Sequence, residues 1–162
     1  MDVKAFTTTY NGISRTLKNK VRFCVDGNIS RELEALWDTG ATNTCVSKEI
    51  AIELGLKQIG VANMGGSTGT APTALYFADV LLPNNVTVTK VKIAEADIGN
   101  QGIDALIGMD IINLGDFSIS NYEGKTVFTF RIPSQKTTNF VQQINAQKVI
   151  GQKHGKGKRN KK

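Results

Sequence analysis

Alternating apolar and polar residues recur in short stretches between residues 20 and 132, which is the pattern of β-strands with one buried face. Turn signals separate these stretches, most clearly the Asp26-Gly27 dipeptide and the glycine-rich segment 64–70. Helical spacing is limited to short segments, one of which is predicted to be capped by Ser47 and to end at Gly55. The pattern therefore predicts an all-β chain, a barrel or a sandwich, with one or two short helices.

The two ends of the chain differ in pattern from its middle. Residues 1–20 are polar and weakly patterned, which fits either an N-terminal arm or a short strand. Residues 134–147 are predicted to be a linker or the start of a short helix, because apolar residues recur at helical spacing from 139 to 150. Residues 21–133 are predicted to form one folded domain, which is also the natural prior for a chain of 162 residues.

Positive charge is concentrated in the last 15 residues. The chain has 20 lysines and arginines, 14 acidic residues and a formal charge of +6. From Lys148 onward there are seven basic residues and no acidic one, whereas the preceding 147 residues carry 13 basic and 14 acidic side chains. A segment this polar cannot bury enough apolar surface to fold. Residues 148–162 are therefore predicted to be a disordered tail. Such a tail either keeps the protein in solution or makes a weak, salt-sensitive contact with nucleic acid or another anion.

Composition excludes several classes of protein. Apolar content is 40%, which is enough for a core and excludes a wholly disordered chain. No run of about 18 uncharged apolar residues is present, so no membrane span is predicted. The N-terminus lacks a basic segment followed by an apolar run, which predicts a cytoplasmic protein. Cys24, Cys45 and the only histidine, His154, lack the spacing of metal ligands, so neither a metal nor a cofactor is expected.

One loop carries the residue types of a reactive site. Asp38 directly follows the apolar end of a predicted strand, and Thr39, Gly40 and Ala41 come after it. Thr39 offers a hydroxyl group, Gly40 lets the backbone turn and approach a ligand closely, and Ala41 leaves room. A carboxylate in this place is either a turn-capping aspartate or a reactive acid. The loop alone does not decide between them.

A second segment, roughly 65 residues later, favours the reactive acid over the turn-capping aspartate. Residues 105–108 are an apolar strand closed by glycine, and residues 109–114 follow as one or two helical turns. A hairpin with a tip of glycine, serine and threonine lies between the two segments. In this order the three features resemble the retropepsin family of aspartic proteases. The Gly108-Met109-Asp110 continuation resembles the cellular and bacterial members more than the retroviral ones.

The resemblance covers roughly residues 20–132 and implies a closed, β-barrel-like acid protease fold with aspartic endopeptidase activity. Asp38 is the implied catalytic acid. Asp110 is implied to be structural, because an acid suits the N-terminus of a helix. The implied supporting residues are Thr39, Gly40 and Ala41 in the active-site loop, Gly65, Gly66, Ser67, Thr68 and Gly69 in the flap, and Ile107, Gly108 and Asp110 in the strand-to-helix segment.

Peptide hydrolysis in this family needs two carboxylates around one water molecule, one acting as base and the other as acid. The sequence contains Asp-Thr-Gly only once, so one chain supplies one of these carboxylates. The resemblance therefore implies a homodimer in which Asp38 of each copy meets on a twofold axis, with a peptide or protein as substrate. It also implies that Thr39 bonds across that axis and that the Gly40 carbonyl binds substrate backbone.

Departures from the family pattern bear on pH and on substrate contacts. Ala41 replaces a serine of relatives that act in acid, and the loss of a hydroxyl donor predicts activity nearer neutral pH. Thr42 and Asn43 stand where retroviral enzymes often carry acids that contact the substrate backbone. The alternative function is a non-catalytic retropepsin-like module for dimerisation or peptide binding, whose basic tail contacts nucleic acid.

Overall fold

The computed structural model describes residues 2–66 and 69–157, and strands dominate this part of the chain. Its strands are β1 (Lys4–Thr9), β2 (Lys18–Val25), β3 (Asn28–Ile29), β4 (Leu33–Trp37), β5 (Cys45–Val46), β6 (Gly60–Gly66), β7 (Gly69–Leu82), β8 (Val86–Glu95), β9 (Ala105–Ile107), β10 (Asp116–Ser120) and β11 (Val127–Ile132). Its helices are α1 (Lys48–Glu53), α2 (Met109–Ile112) and α3 (Phe140–Gly157), and 3-10 turns lie at Gly99–Gln101 and Tyr122–Gly124.

Six strands close into a barrel. They pair in the order β2–β4–β9–β5–β8–β7, and β7 pairs back onto β2 from Arg22 opposite Leu81 to Cys24 opposite Asp79. The long strand β7 makes this closure possible, because its 14 residues also pair with β6 and β8. Strands β3 and β6 extend the sheet beyond the ring. The predicted all-β, closed-barrel architecture is therefore confirmed.

A separate three-stranded sheet, in the order β1–β11–β10, packs on the barrel through aromatic side chains. Trp37, at the end of β4, is 4% exposed, and its ring centroid lies 5.1 Å from those of Phe128 and Phe130. Phe6 and Phe117 lie at 5.8 and 5.9 Å from the same ring. Each such pair adds about 0.5–1.5 kcal/mol beyond the burial of its area. Because Trp37 is the last residue of β4, this cluster fixes where the following loop begins.

The N-terminal segment resolves the choice between an arm and a strand. Strand β1 pairs with β11 along its whole length, from Lys4 opposite Ile132 to Thr9 opposite Val127. Residues 4–9 therefore belong to the sheet that covers the aromatic cluster.

The C-terminal helix is longer than the short helix that the sequence predicted. Helix α3 continues to Gly157, past Lys148, where the disordered tail was expected to begin. The segment has no proline that would end the helix, although its three glycines make it a weak helix former. Residues 158–162 of the predicted tail lie outside the described residues. None of the helices in the described part of the chain is both long and apolar enough to cross a membrane.

Helix α1 begins and ends as its sequence predicted. The Oγ of Ser47 accepts a hydrogen bond from the backbone N–H of Ile50 at 3.3 Å. Gly55 follows the helix at φ +62°, a left-handed conformation that glycine adopts without steric cost. Both cap predictions are confirmed. The short strand β5 ends at Val46, directly before the capping residue Ser47.

Asp116 joins the start of β10 to the segment after β11. Its carboxylate accepts hydrogen bonds from the Ser134 hydroxyl, from the backbone N–H of Gln135 at 2.8 Å and from Nε of Arg131 at 2.9 Å. The Ser134 hydroxyl, the Gln135 N–H and the Arg131 guanidinium, in that order, hold the pKa of Asp116 well below its ordinary value of 3.8. The ionised form is therefore the one that the fold stabilises.

Because the pKa of Asp116 is lower in the folded chain than in the unfolded chain, its stabilising contribution is present above about pH 3.8 and is lost as the pH falls below it. We expect Asp116→Asn to lower the free energy of unfolding at pH 7, and its difference from the wild type to shrink below pH 3.8. Urea unfolding followed by the fluorescence of Trp37, the single tryptophan, measures both values. The control Glu123→Gln removes a charge that has no ion pair among the described residues. A difference that stays constant with pH would contradict the charge-based explanation.

Candidate active site

Asp38 lies at the point where β4 ends. Its backbone N–H donates to the carbonyl of Ile107 at 3.0 Å, so the parallel pairing of β4 with β9 extends by one bond into the loop. Its Oδ1 accepts a hydrogen bond from the N–H of Gly40 at 2.8 Å. No donor among the residues that the structure describes bonds Oδ2. The carboxylate is thus oriented by its own loop, while its Oδ2 accepts no hydrogen bond from the described part of the chain.

The strand-to-helix segment around Gly108 supports this loop from behind. The N–H of Met109 donates to the Ala41 carbonyl at 2.8 Å, and the N–H of Asp110 donates to the Thr42 carbonyl at 3.2 Å. Gly108 lies so close to the loop that a Cβ on it would be 2.5 Å from the carbonyl carbon of Asn43. Real Cβ atoms do not approach backbone this closely, so the contact between the two segments requires glycine.

Asp110 is bonded within the protein through both of its oxygens. Oδ2 accepts from the N–H of Thr44 at 2.9 Å, and Oδ1 accepts from the Thr44 hydroxyl at 2.8 Å and from the N–H of Ile111 at 2.9 Å. The Thr44 hydroxyl oxygen in turn accepts from the N–H of Gly108 at 3.2 Å. Thr44 is fully buried, so this network lies inside the fold. Asp110 does not line the cleft described next.

A cleft of about 830 Å³ lies beside Asp38. The active-site loop contributes Asp38, Gly40 and Ala41 to its lining, and strand β6 contributes residues 62–65. A volume of this size is in the range of ligand-binding clefts. Thr39 lies outside it, in a neighbouring groove of about 490 Å³ that Asp38 also lines. Asp38 is therefore shared between two depressions of the surface.

Strands β6 and β7 form the hairpin that the sequence predicted as a flap. They pair from Gly60 opposite Leu75 to Gly66 opposite Gly69, which is further toward the tip than expected. Gly65 and Gly66 end β6, and Gly65 lines the cleft. Ser67 and Thr68, also predicted for the flap, lie outside the described residues.

The floor of the cleft includes residues that the sequence did not indicate. Leu106 of β9 pairs with Cys45 of β5, which pairs with Ala94 of β8, which pairs with Leu75 of β7. Paired residues point to the same face of a sheet, so these four form one row, of which Leu106, Cys45 and Leu75 line the cleft. The sequence carries no signal for this row, because it depends on strands far apart in the chain pairing in one register.

Cys45 is the one thiol among the cleft's described residues. Burial, with smaller contributions from the negative charges of Asp110 and Asp38, raises the pKa of Cys45 to about 11. Its Sγ donates to the carbonyl of Asn43 at 3.2 Å. At neutral pH the side chain is therefore a protonated, apolar part of the floor.

The Gly108 contact generates a stability prediction. We expect Gly108→Ala to lower the free energy of unfolding by about 1–3 kcal/mol, because the added methyl group overlaps the backbone of Asn43. The matched control is Gly60→Ala, since a Cβ there meets nothing within 4 Å. Urea unfolding of the two variants and the wild type measures the difference. If both variants lost the same free energy of unfolding, the effect would come from replacing any glycine and not from the contact with Asn43.

Comparisons with known proteins agree with this geometry. The family model described as aspartyl protease matches residues 20–111. No curated protein matches the chain. Among solved structures, a retropepsin-like aspartic protease from Rickettsia conorii is 15% identical with a TM-score of 0.51, covering 81% of this chain and 96% of that one. The EIAV protease complexed with the inhibitor HBY-793 is 18% identical with a TM-score of 0.50, covering 65% and 92%. The family match spans more than half of the chain and includes both the Asp38 loop and Gly108, so the chain belongs to the aspartyl protease family and has the retropepsin-like fold.

Proposed function

We propose that this chain is an aspartic endopeptidase that acts as a homodimer, with Asp38 of two copies sharing one proton around a water molecule. The observation that carries the proposal is the environment of Asp38, whose Oδ1 is held by Gly40 while the side chain borders an open cleft. The other carboxylate of the motif, Asp110, is bonded to Thr44 and Ile111 and does not line that cleft. A second catalytic acid therefore has to come from a second copy.

The groove next to the cleft supports this assembly. Asp38 and Thr39 line it together with Phe117 and Ile119 of β10. Strand β10 is an edge strand, because the order of its sheet is β1–β11–β10, and Ile119 is almost half exposed. An open strand edge beside apolar surface is suited to pairing with another chain. A second copy seated there would bring its own Asp38 toward the first.

In the proposed reaction, one Asp38 carboxylate takes a proton from the water as the water attacks the scissile carbonyl. The partner carboxyl group donates its proton to the carbonyl oxygen, which gives a tetrahedral gem-diol intermediate. The first Asp38, which now holds the proton from water, donates it to the leaving amine as the C–N bond breaks, and the partner carboxylate takes back a proton from a gem-diol hydroxyl group. Two carboxylates this close do not both ionise readily, so the pair titrates as a unit, as is long known for aspartic proteases. The hairpin of β6 and β7 covers the peptide and excludes water.

The two aspartates of the motifs are expected to respond differently to the same substitution. Asp38→Asn should lower turnover of an unstructured polypeptide roughly 10²- to 10⁴-fold and leave the free energy of unfolding unchanged. Asp110→Asn should lower the free energy of unfolding by about 1–3 kcal/mol, because its amide group would face the N–H and hydroxyl donors of Thr44. Peptide cleavage assays and urea unfolding measure the two effects.

Two further measurements complete this test. A statine-type inhibitor should block the wild-type activity. Analytical ultracentrifugation at the protein concentration of the cleavage assay should give the mass of a dimer. Cleavage that survives Asp38→Asn, or no cleavage by the wild type at any pH, would favour the alternative of a non-catalytic peptide-binding or dimerisation module.

Residue 41 is expected to set the pH range of activity. The N–H of Ala41 donates to the Asp38 carbonyl at 3.2 Å, so this residue adjoins the catalytic acid without a side-chain donor. We expect the wild type to be most active near neutral pH. In Ala41→Ser the hydroxyl favours the charged carboxylate, which keeps the base form down to lower pH and moves the acid limb of the pH–rate profile downward. Ala62→Ser, also in the cleft, is the control and should leave that limb in place. A wild-type optimum well below pH 4 would contradict the expectation.

A further inference from the structure

The cleft beside Asp38 contains a cationic side chain that the proposed reaction does not use. Lys92 of β8 is exposed and is the one basic residue that lines the cleft in the described part of the chain. No ion pair to Lys92 is formed by the described residues, whereas Lys20 and Lys57 pair with Glu34 and Asp26 at 2.9 and 2.8 Å. The positive charge of Lys92 is therefore available to a ligand.

Sheet register places Lys92 at one side of the cleft floor. Ala94 belongs to the row that contains Cys45 and Leu75, and Lys92 precedes it by two residues, on the same face of β8. The partner of Lys92 on β7 is Phe77, which is 50% exposed. Lys92 therefore stands one step beyond the apolar row, about 7 Å further along the strand.

The loop before β5 contributes a neutral residue to the same cleft. Strands β5 and β8 run parallel with Cys45 opposite Ala94, and the N–H of Ala94 donates to the Thr44 carbonyl at 3.0 Å. Asn43, two residues before Cys45, lies in the bend that leads into β5 and lines the cleft, as Lys92 does. Its amide side chain carries no charge that would neutralise the lysine.

The acidic residues that line the described cleft are placed elsewhere. Asp38 belongs to the active-site loop, and Asp97 lies beyond the end of β8, five residues after Lys92. Neither forms an ion pair with the lysine. A peptide laid along the cleft would therefore meet both the amide residue Asn43 and the ammonium group of Lys92, a combination that favours a carboxylate.

We propose that Lys92, together with Asn43, selects substrates with a glutamate or aspartate at the position that binds beside them. The inference rests on the proposed endopeptidase function and names its substrate class. Each copy of a homodimer contributes one such place, so the preference applies on both sides of the scissile bond.

The test uses the full chain and matched peptides. Digestion of an unstructured polypeptide, followed by mass spectrometry, gives the residues around each cleaved bond. Peptides built on one such site then carry Glu, Gln or Lys at each position near the bond. We expect the wild type to prefer Glu over Gln about fivefold in kcat/KM at one or more positions, with a smaller preference in 0.5 M salt.

Variants at residue 92 identify the origin of the preference. Lys92→Met should abolish it, and Lys92→Glu should reverse it in favour of the Lys peptide. The control Lys90→Met removes the same charge from the same strand, at a position that does not line the cleft, and should keep the wild-type preference. A preference for Glu that persists in Lys92→Met would overturn the inference.

Binding to Asp38→Asn, measured by fluorescence anisotropy with the same peptides, separates this inference from the proposed function. Cleavage of Glu and Gln peptides at equal rates would overturn the selectivity and leave the protease in place. Tighter binding of the Glu peptide, without cleavage by the wild type, would overturn the protease and uphold the recognition. Equal binding without cleavage would overturn both.

Discussion

The contact between Gly108 and the backbone of Asn43 determines the geometry of the loop that carries Asp38. A side chain at residue 108 would push the two segments apart and break the bonds from Met109 and Asp110 to the loop carbonyls. Trp37 fixes the other end, because its ring is packed among phenylalanines of the covering sheet. The loop is thus held from two directions by packing that does not involve its reactive group.

The buried network of Thr44 and Asp110 adds polar order to this packing. Thr44 is fully buried, and its N–H and hydroxyl group both bond the Asp110 carboxylate. A network of this kind is favourable only when its members are satisfied, and it then stiffens the segments that it joins. A rigid support of this type is what a catalytic or binding group needs if its geometry is to be fixed before a ligand arrives. The same fold therefore serves either a protease or a peptide-binding module.

Local features of this fold could be predicted from sequence, and distant pairings could not. Alternation predicted the strands, and the caps at Ser47 and Gly55 predicted a helix, because both depend on neighbouring residues. Closure of the barrel between β2 and β7 depends on segments more than fifty residues apart, for which the alternation holds no information. Lys92 illustrates the consequence. In sequence it is one polar residue of an alternating strand, and its place in the cleft depends on the pairing of β8 with β7 and β5.

At the two ends of the chain, prediction from sequence is limited for a different reason. Residues 4–9 have a weak pattern because β1 is a strand at the edge of its sheet, with Phe6 as its one buried residue. Helix α3 continues into a segment whose polar, glycine-rich composition indicates disorder, and nothing in its local sequence explains the extension. Phe140, Val141 and Ile144 are exposed and do not belong to the hydrophobic core. A helix that does not pack on the core needs no strong amphipathic pattern, which is why the pattern in this segment is weak.

The state of Cys45 determines how this chain responds to thiol-directed reagents. A thiol with a pKa near 11 is almost wholly unreactive toward alkylating agents and mild oxidants at neutral pH, since the thiolate is the reacting species. Iodoacetamide or peroxide should therefore spare the floor of the cleft, and purification without reductant carries little risk for it. Inactivation by such reagents would have to be sought at Cys24, which is less buried and lies on the far strand β2.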